Sequence, residues 1–201
     1  MDNKNAFSKI LILVIIAVLV IGGIFVWQEW LKSDLRLKIK DSRLPKGIEV
    51  IEQGDKKIVK NKAEGYEVTV PKEWGAQIMN RGVSGQNLRL EDKKNQKKEA
   101  SEIATGCISE IFVNQNPDKI SLDQWIELHA PGGILSRENI TIGNYIPAIK
   151  IVGKEIGSYI VIYTMDSKNN NIHEIVLYYT EPDTTGCIEN FNRMLATYSF
   201  K

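Results

Sequence analysis

The distribution of apolar positions changes character at residue 27. From Ile10 to Trp27 eighteen consecutive residues carry no charged or hydrogen-bonding side chain other than the terminal indole. Such a run predicts a helix about 27 Å long, the thickness of a bilayer core. Trp27 and Trp30 then stand where amphipathic rings anchor a helix at the membrane interface. Beyond them the run gives way to short alternating segments bounded by turn residues, the pattern of half-buried antiparallel strands.

The alternation predicts strands over 48–52, 56–60, 66–70, 76–80, 87–91, 107–114, 139–142, 146–152, 158–165 and 172–180. Gln53-Gly54-Asp55 and the cluster from Asp166 to Asn171 read as turns that close hairpins. Residues 28–46 are charged, and Leu35-Arg-Leu-Lys-Ile-Lys40 alternates in a way that suits a strand as well as a stalk. The segment is read as a stalk whose charges are solvated near lipid headgroups.

Two helices have local signals. Ser121-Leu-Asp-Gln124 is a capping box, flanked by Ile120 and Trp125 at the positions of a hydrophobic staple, with Gly132 or Gly133 as the stop. A second helix is expected from Thr184 or Thr185, with Cys187, Ile188, Phe191, Met194 and Leu195 at helical spacing. The expected organisation is a tail (1–9), a transmembrane helix (10–27), a juxtamembrane stalk (28–47) and one soluble domain (48–201). A chain of 201 residues has room for one such unit, and a domain of this size buries enough surface to fold without metals.

Composition narrows the partners. With 26 basic and 25 acidic residues the net charge is +1, so no global field draws nucleic acid. The polar stretch from Glu91 to Glu99 has no aromatic residue for a base to stack on and reads as a solvated loop. The bilayer is the partner expected of residues 10–27, with a further protein or small-molecule partner left unidentified.

Other readings of the apolar run need residues found elsewhere or not at all. A cleaved signal peptide has a shorter apolar core and a small-x-small site, whereas this run ends in Phe25, Val26 and Trp27. Lipidation needs a cysteine just after the run, but the first is Cys107. A pilin would place Gly before Phe7 and Glu five positions on, where Ala6 and Leu11 stand. Lys4 and Lys9 precede the helix, and Lys32, Arg36, Lys38, Lys40 and Arg43 follow it, a count that by itself favours the domain inside. Long C-terminal domains cross regardless of such counts. The expectation is a single-pass protein of the cell membrane, with a cytoplasmic N-terminus and an extracytoplasmic domain.

Few residues carry candidate chemistry. Cys107 and Cys187 are the only cysteines; an extracytoplasmic location favours a disulfide, and a cytoplasmic one two buried thiols. The tetrapeptide Thr-Gly-Cys-Ile surrounds both, but its flanks do not repeat. His173-Glu174 begins like a zinc-binding H-E-x-x-H, yet position 177 is Leu and the segment reads as a strand. His129, near the end of the first helix, suits that helix's negative pole. Gly82-Val-Ser84-Gly85 falls one glycine short of a nucleophile elbow. The carboxylates Glu99, Glu102, Glu110 and Glu127 become acid or base candidates only if a cleft shifts one of them. Asn139-Ile-Thr141 matches the glycosylation pattern, which is common by chance. These residues point to no catalytic, cofactor or metal site.

Tyr66-Glu-Val-Thr-Val-Pro-Lys-Glu-Trp74 resembles the opening of PsbP-like domains, the photosystem II extrinsic-protein fold. Phe191 to Phe200 resembles their final helix and short terminal strand, and Ile142-Gly-Asn-Tyr-Ile-Pro-Ala-Ile149 the start of their central hairpin. The likeness spans about Lys60 to Lys201 and rests on packing and turn positions, which speak to fold more than to function. It implies an α+β fold, an antiparallel β-sheet flanked by helices in an αβα sandwich. It also implies an extracytoplasmic domain that binds or helps assemble a partner and catalyses nothing. Photosynthetic function is not implied, since none of the photosystem members' binding residues aligns here. A membrane-tethered hydrolase built around Ser84, His129 or paired carboxylates, or a cytoplasm-facing adapter, are the alternatives.

Overall fold

The computed structural model describes residues 37–39, 47–80, 86–92, 107–155, 157–181, 183 and 186–201. The expected transmembrane helix with Trp27 and Trp30 lies outside these residues, as do Ser84, Glu99 and Glu102. Among the described residues no helix is long and apolar enough to cross a membrane. The chain divides into two units, Met1–Leu37 and Lys38–Lys201, and Leu37 is the sole described residue of the first.

Among the described residues strands form two antiparallel sheets where one was expected. The smaller runs β1 (Leu37–Ile39), β2 (Ile48–Gln53), β3 (Lys56–Asn61), β4 (Tyr66–Pro71) and β12 (Ser199–Phe200). The larger comprises β5 (Trp74–Asn80), β6 (Gln86–Asp92), β7 (Ile108–Asn114), β8 (Ile134–Ile142), β9 (Ile146–Lys154), β10 (Ser158–Met165) and β11 (Ile172–Tyr179), in the order β5-β6-β7-β11-β10-β9-β8. The split falls at Pro71, which ends β4. Lys72 then donates its amide to the Asp55 carbonyl in the β2–β3 turn, and Trp74 opens β5 in the other sheet. In sequence nothing between Pro71 and Trp74 marks a change of sheet. Of the two readings of 35–40, Leu37–Ile39 adopts the strand, next to β2 at the edge of the smaller sheet.

Helix α1 (Leu122–His129) starts at the expected capping box: Ser121 Oγ accepts from the Gln124 amide, and the Ser121 amide donates to Gln124 Oε1. Its end differs from expectation. Ala130 is extended, at φ −61° and ψ 143°, as a residue before Pro131 must tend to be, so the proline and not a glycine stops the helix. Helix α2 (Cys187–Leu195) starts later than expected, with Gly186 at its N-cap at φ 70°. The cap comes from Asp183, whose carboxylate accepts from the amides of Cys187 and Ile188, both at 2.9 Å.

The two helices lie on different hydrophobic clusters. Cys187, Phe191, Met194 and Leu195 of α2 join Val59, Val68 and Val70 of the smaller sheet and Leu88, Ile111, Ile162 and Ile175 of the larger. Ile126 of α1 packs instead with Ile149, Ile151, Val161, Tyr163, Ile172 and Val176. Side chains alternate across a strand, so β11 sends Ile175 and Leu177 into the first cluster and Ile172 and Val176 into the second. The larger sheet is therefore covered on both faces, by α2 with the smaller sheet on one and by α1 on the other.

Candidate functional site

Alternation in β11 separates the two residues that looked like the start of a metal motif. His173 points into the first cluster and is fully buried. Its Nδ1 lies 2.6 Å from Tyr198 Oη, and Tyr66 stacks on Tyr198 with ring centroids 5.7 Å apart. Phe200 meets the imidazole edge-on at 4.9 Å, and Asn61 Nδ2 donates to Tyr66 Oη at 3.3 Å. Burial lowers the His173 pKa to about 4, with Asp166 opposing the shift, so the ring is neutral at physiological pH. Burial also pushes the Tyr66 and Tyr198 phenols up. These rings pack together between β4, β11 and β12.

Glu174 lies on the opposite face, half-buried beneath α1. Its cross-strand neighbours are Tyr163 of β10 and Phe112 of β7. Burial raises its pKa to about 7, against the opposing effects of a hydrogen bond from Asn114 and the charge of His129. Above it the His129 ring stacks on Trp125 at 4.1 Å, and His129 Nδ1 lies 2.9 Å from the Trp125 carbonyl. With Nδ1–H donating there, Nε2 is the nitrogen left to meet other groups. Burial, reinforced by the Glu174 charge, raises the Tyr163 phenol. Among the described residues neither Tyr163 Oη nor Trp125 Nε1 has a hydrogen-bond partner, although both atoms are buried. The arrangement provides one carboxyl that changes charge near neutrality, beside two donors without acceptors.

A ladder of charge continues along the same face. Gln77 Nε2 donates to Glu91 Oε1 at 2.6 Å, Arg89 Nε lies 3.2 Å from Glu91 Oε2, and Arg89 Nη1 lies 4.0 Å from Glu110 Oε1. Glu110 is thus a buried member of an ion-pair ladder, and Glu127 is exposed on α1. Among the described residues no group of three or more His, Cys, Asp or Glu is placed to hold a metal.

Cys107 and Cys187, 80 residues apart, are bridged, with sulfurs 2.00 Å apart. The bridge ties the entry of β7 to the first turn of α2, so the two Thr-Gly-Cys-Ile copies meet at their cysteines. His129 occupies the last turn of α1, as its position predicted. The grouping of Glu174 with Tyr163 and Asn114 matches no sequence motif. Its one signal in the sequence is parity: a carboxylate at position 174 shares a strand face with Ile172 and Val176.

No protein-family model and no curated protein matches the chain. A crystal structure from Bacteroides thetaiotaomicron overlaps 68% of this chain and 45% of its own, at 11% identity and a TM-score of 0.42, so this chain spans less than half of that protein. The solution structure of cyanobacterial PsbP (CyanoP) from Synechocystis is similar over 75% of this chain and 95% of its own, at 8% identity and a TM-score of 0.52. That similarity, over nearly the whole of that protein, makes the fold of this chain PsbP-like, with antiparallel sheets and two helices among the described residues.

Proposed function

We propose that this chain is a non-catalytic binding or assembly module, held at the outer face of the cell membrane by the helix expected over residues 10–27. The observation that carries the reading is the PsbP-like fold, shared over 95% of the cyanobacterial PsbP structure. The resemblance of Tyr66–Trp74 and Phe191–Phe200 to such domains implies an extracytoplasmic module that engages a partner. A bridged cysteine pair favours the same side, because disulfides persist in oxidising compartments. The apolar run from Ile10 to Trp27 supplies the tether and Trp27 and Trp30 its interfacial anchors.

Topology and assembly are tested together on the full chain in its own cells. Lys168→Cys, in the exposed β10–β11 turn, should react with a membrane-impermeant maleimide without permeabilisation, and the chain should resist carbonate extraction. In mild detergent it should migrate in a complex larger than itself. Labelling only after permeabilisation would overturn the orientation, and a free monomer in every mild detergent would overturn the assembly role.

A further inference from the structure

Helix α1 rests on its sheet through buried Ile126 and half-buried Leu122 and Trp125. Of its eight residues only Ile126 is buried, whereas the nine-residue α2 buries four. Asp123, Gln124, Glu127, Leu128 and His129 are exposed. The polar attachments near its ends are few. Asn116 bonds the Ile120 backbone on both sides, Tyr159 Oη donates to the Gly132 carbonyl, and Arg137 pairs with Asp123 at the surface. Beneath the helix, Tyr163 Oη and Trp125 Nε1 are buried without acceptors among the described residues. A buried donor without a partner destabilises the docked arrangement, and both of these regain water when the helix lifts.

We propose that α1 is a latch that lifts from the larger sheet when the Glu174 carboxyl beneath it ionises, uncovering the face that carries Phe112, Tyr163 and Glu174. The carboxyl sits where protonation suits docking. Its neighbours across the sheet are an aromatic ring on each side, Phe112 and Tyr163. Asn114 offers one hydrogen bond, and the His129 imidazole, itself on the helix that would move, opposes the shift. Asp123 and Glu127, the remaining charged groups of α1, are exposed. Tyr159 and Tyr178 act on Tyr163 and not on the carboxyl.

The direction follows from linkage. Docked, Glu174 keeps its proton up to about pH 7; lifted and solvated, it returns toward its ordinary value of 4.5. Below the lower value both states are protonated and docking is strongest. As pH rises from there to about 7 the lifted state loses its proton first and docking weakens, and above it docking stays weak. The opening equilibrium can change by as much as about a hundredfold across that window.

Hydrogen exchange on the full chain in detergent micelles, from about pH 5 to about pH 8 and corrected for intrinsic rates, tests this. Protection of the Leu122–His129 amides should fall tens-fold or more with rising pH, while protection of β9 and β10 stays level. Glu174→Gln should keep α1 protected throughout. His129→Gln, which removes the imidazole that opposes the shift, should move the transition to higher pH. A flat α1 profile in the unmodified chain would overturn the proposal even if Glu174→Gln failed to fold. So would a fall shared equally by β9 and β10, or one that survives in Glu174→Gln.

Discussion

The ring of Tyr159 lies over Gly153, its cross-strand neighbour in β9, and its hydroxyl reaches the Gly132 carbonyl beyond. A Cβ at 153 would fall inside that ring, meeting Cζ and Oη. The glycine therefore makes room for an aromatic side chain that ties the strand to the loop after α1.

Gly153→Ala should accordingly cost about 2–3 kcal/mol, since the ring must swing away and its hydrogen bond is lost with it. Denaturant midpoints of Gly153→Ala and Tyr159→Phe separate the two effects. The phenylalanine variant, which keeps the ring in place, should lose only about 1 kcal/mol.

Removing the Cys107–Cys187 bridge should cost about 2–5 kcal/mol, because it closes a long loop in the unfolded chain. The separation is 80 residues, and both cysteines are buried. The melting temperature of the Cys107→Ala/Cys187→Ala variant should fall to that of the reduced protein, and it should no longer respond to reductant.

Tyr145, in the β8–β9 turn, is 89% exposed and holds a left-handed backbone at φ 64°. A bulky L-residue pays about 1–2 kcal/mol for that conformation, and here no packing compensates. Tyr145→Asn should stabilise the fold by about 0.5–1 kcal/mol. An unchanged or lower melting temperature would contradict this.

His173 and Glu174 give opposite pH slopes from opposite faces of β11. The unfolded chain protonates His173 near 6.5 and the folded chain near 4, so stability is lost as pH falls through that window. The folded chain keeps the Glu174 proton to about 7 and the unfolded chain to 4.5, so stability is lost as pH rises. The two largely cancel between about pH 4.5 and 6.5. Glu174→Gln should unmask the histidine, with a loss on the order of 2 kcal/mol toward acid. Parallel stability profiles for the two proteins would refute the cancellation.

Much of the fold is legible in the sequence because local rules are obeyed. Alternation locates Ser158–Met165 at both ends, and the capping box marks the start of α1 at Ser121. Of β8 the alternation reaches only the last four residues, because Ile134 to Asn139 are all exposed and show no apolar alternation, with a register shift at Leu135. The start of α2 is hidden because its capping carboxylate comes from Asp183, three residues before the N-cap, and not from an adjacent threonine.

Sequence alone determined the periodicities: an unbroken apolar run from Ile10 to Trp27, strands of period two, and two helices with their apolar stripes. These depend on near neighbours and on the alternation of side chains along one element. Only tertiary structure decided that the strands divide between two sheets at Pro71, that Cys107 meets Cys187, and that Glu174 comes near His129. Each of those outcomes depends on which distant surface a side chain is buried against. No local pattern encodes that choice.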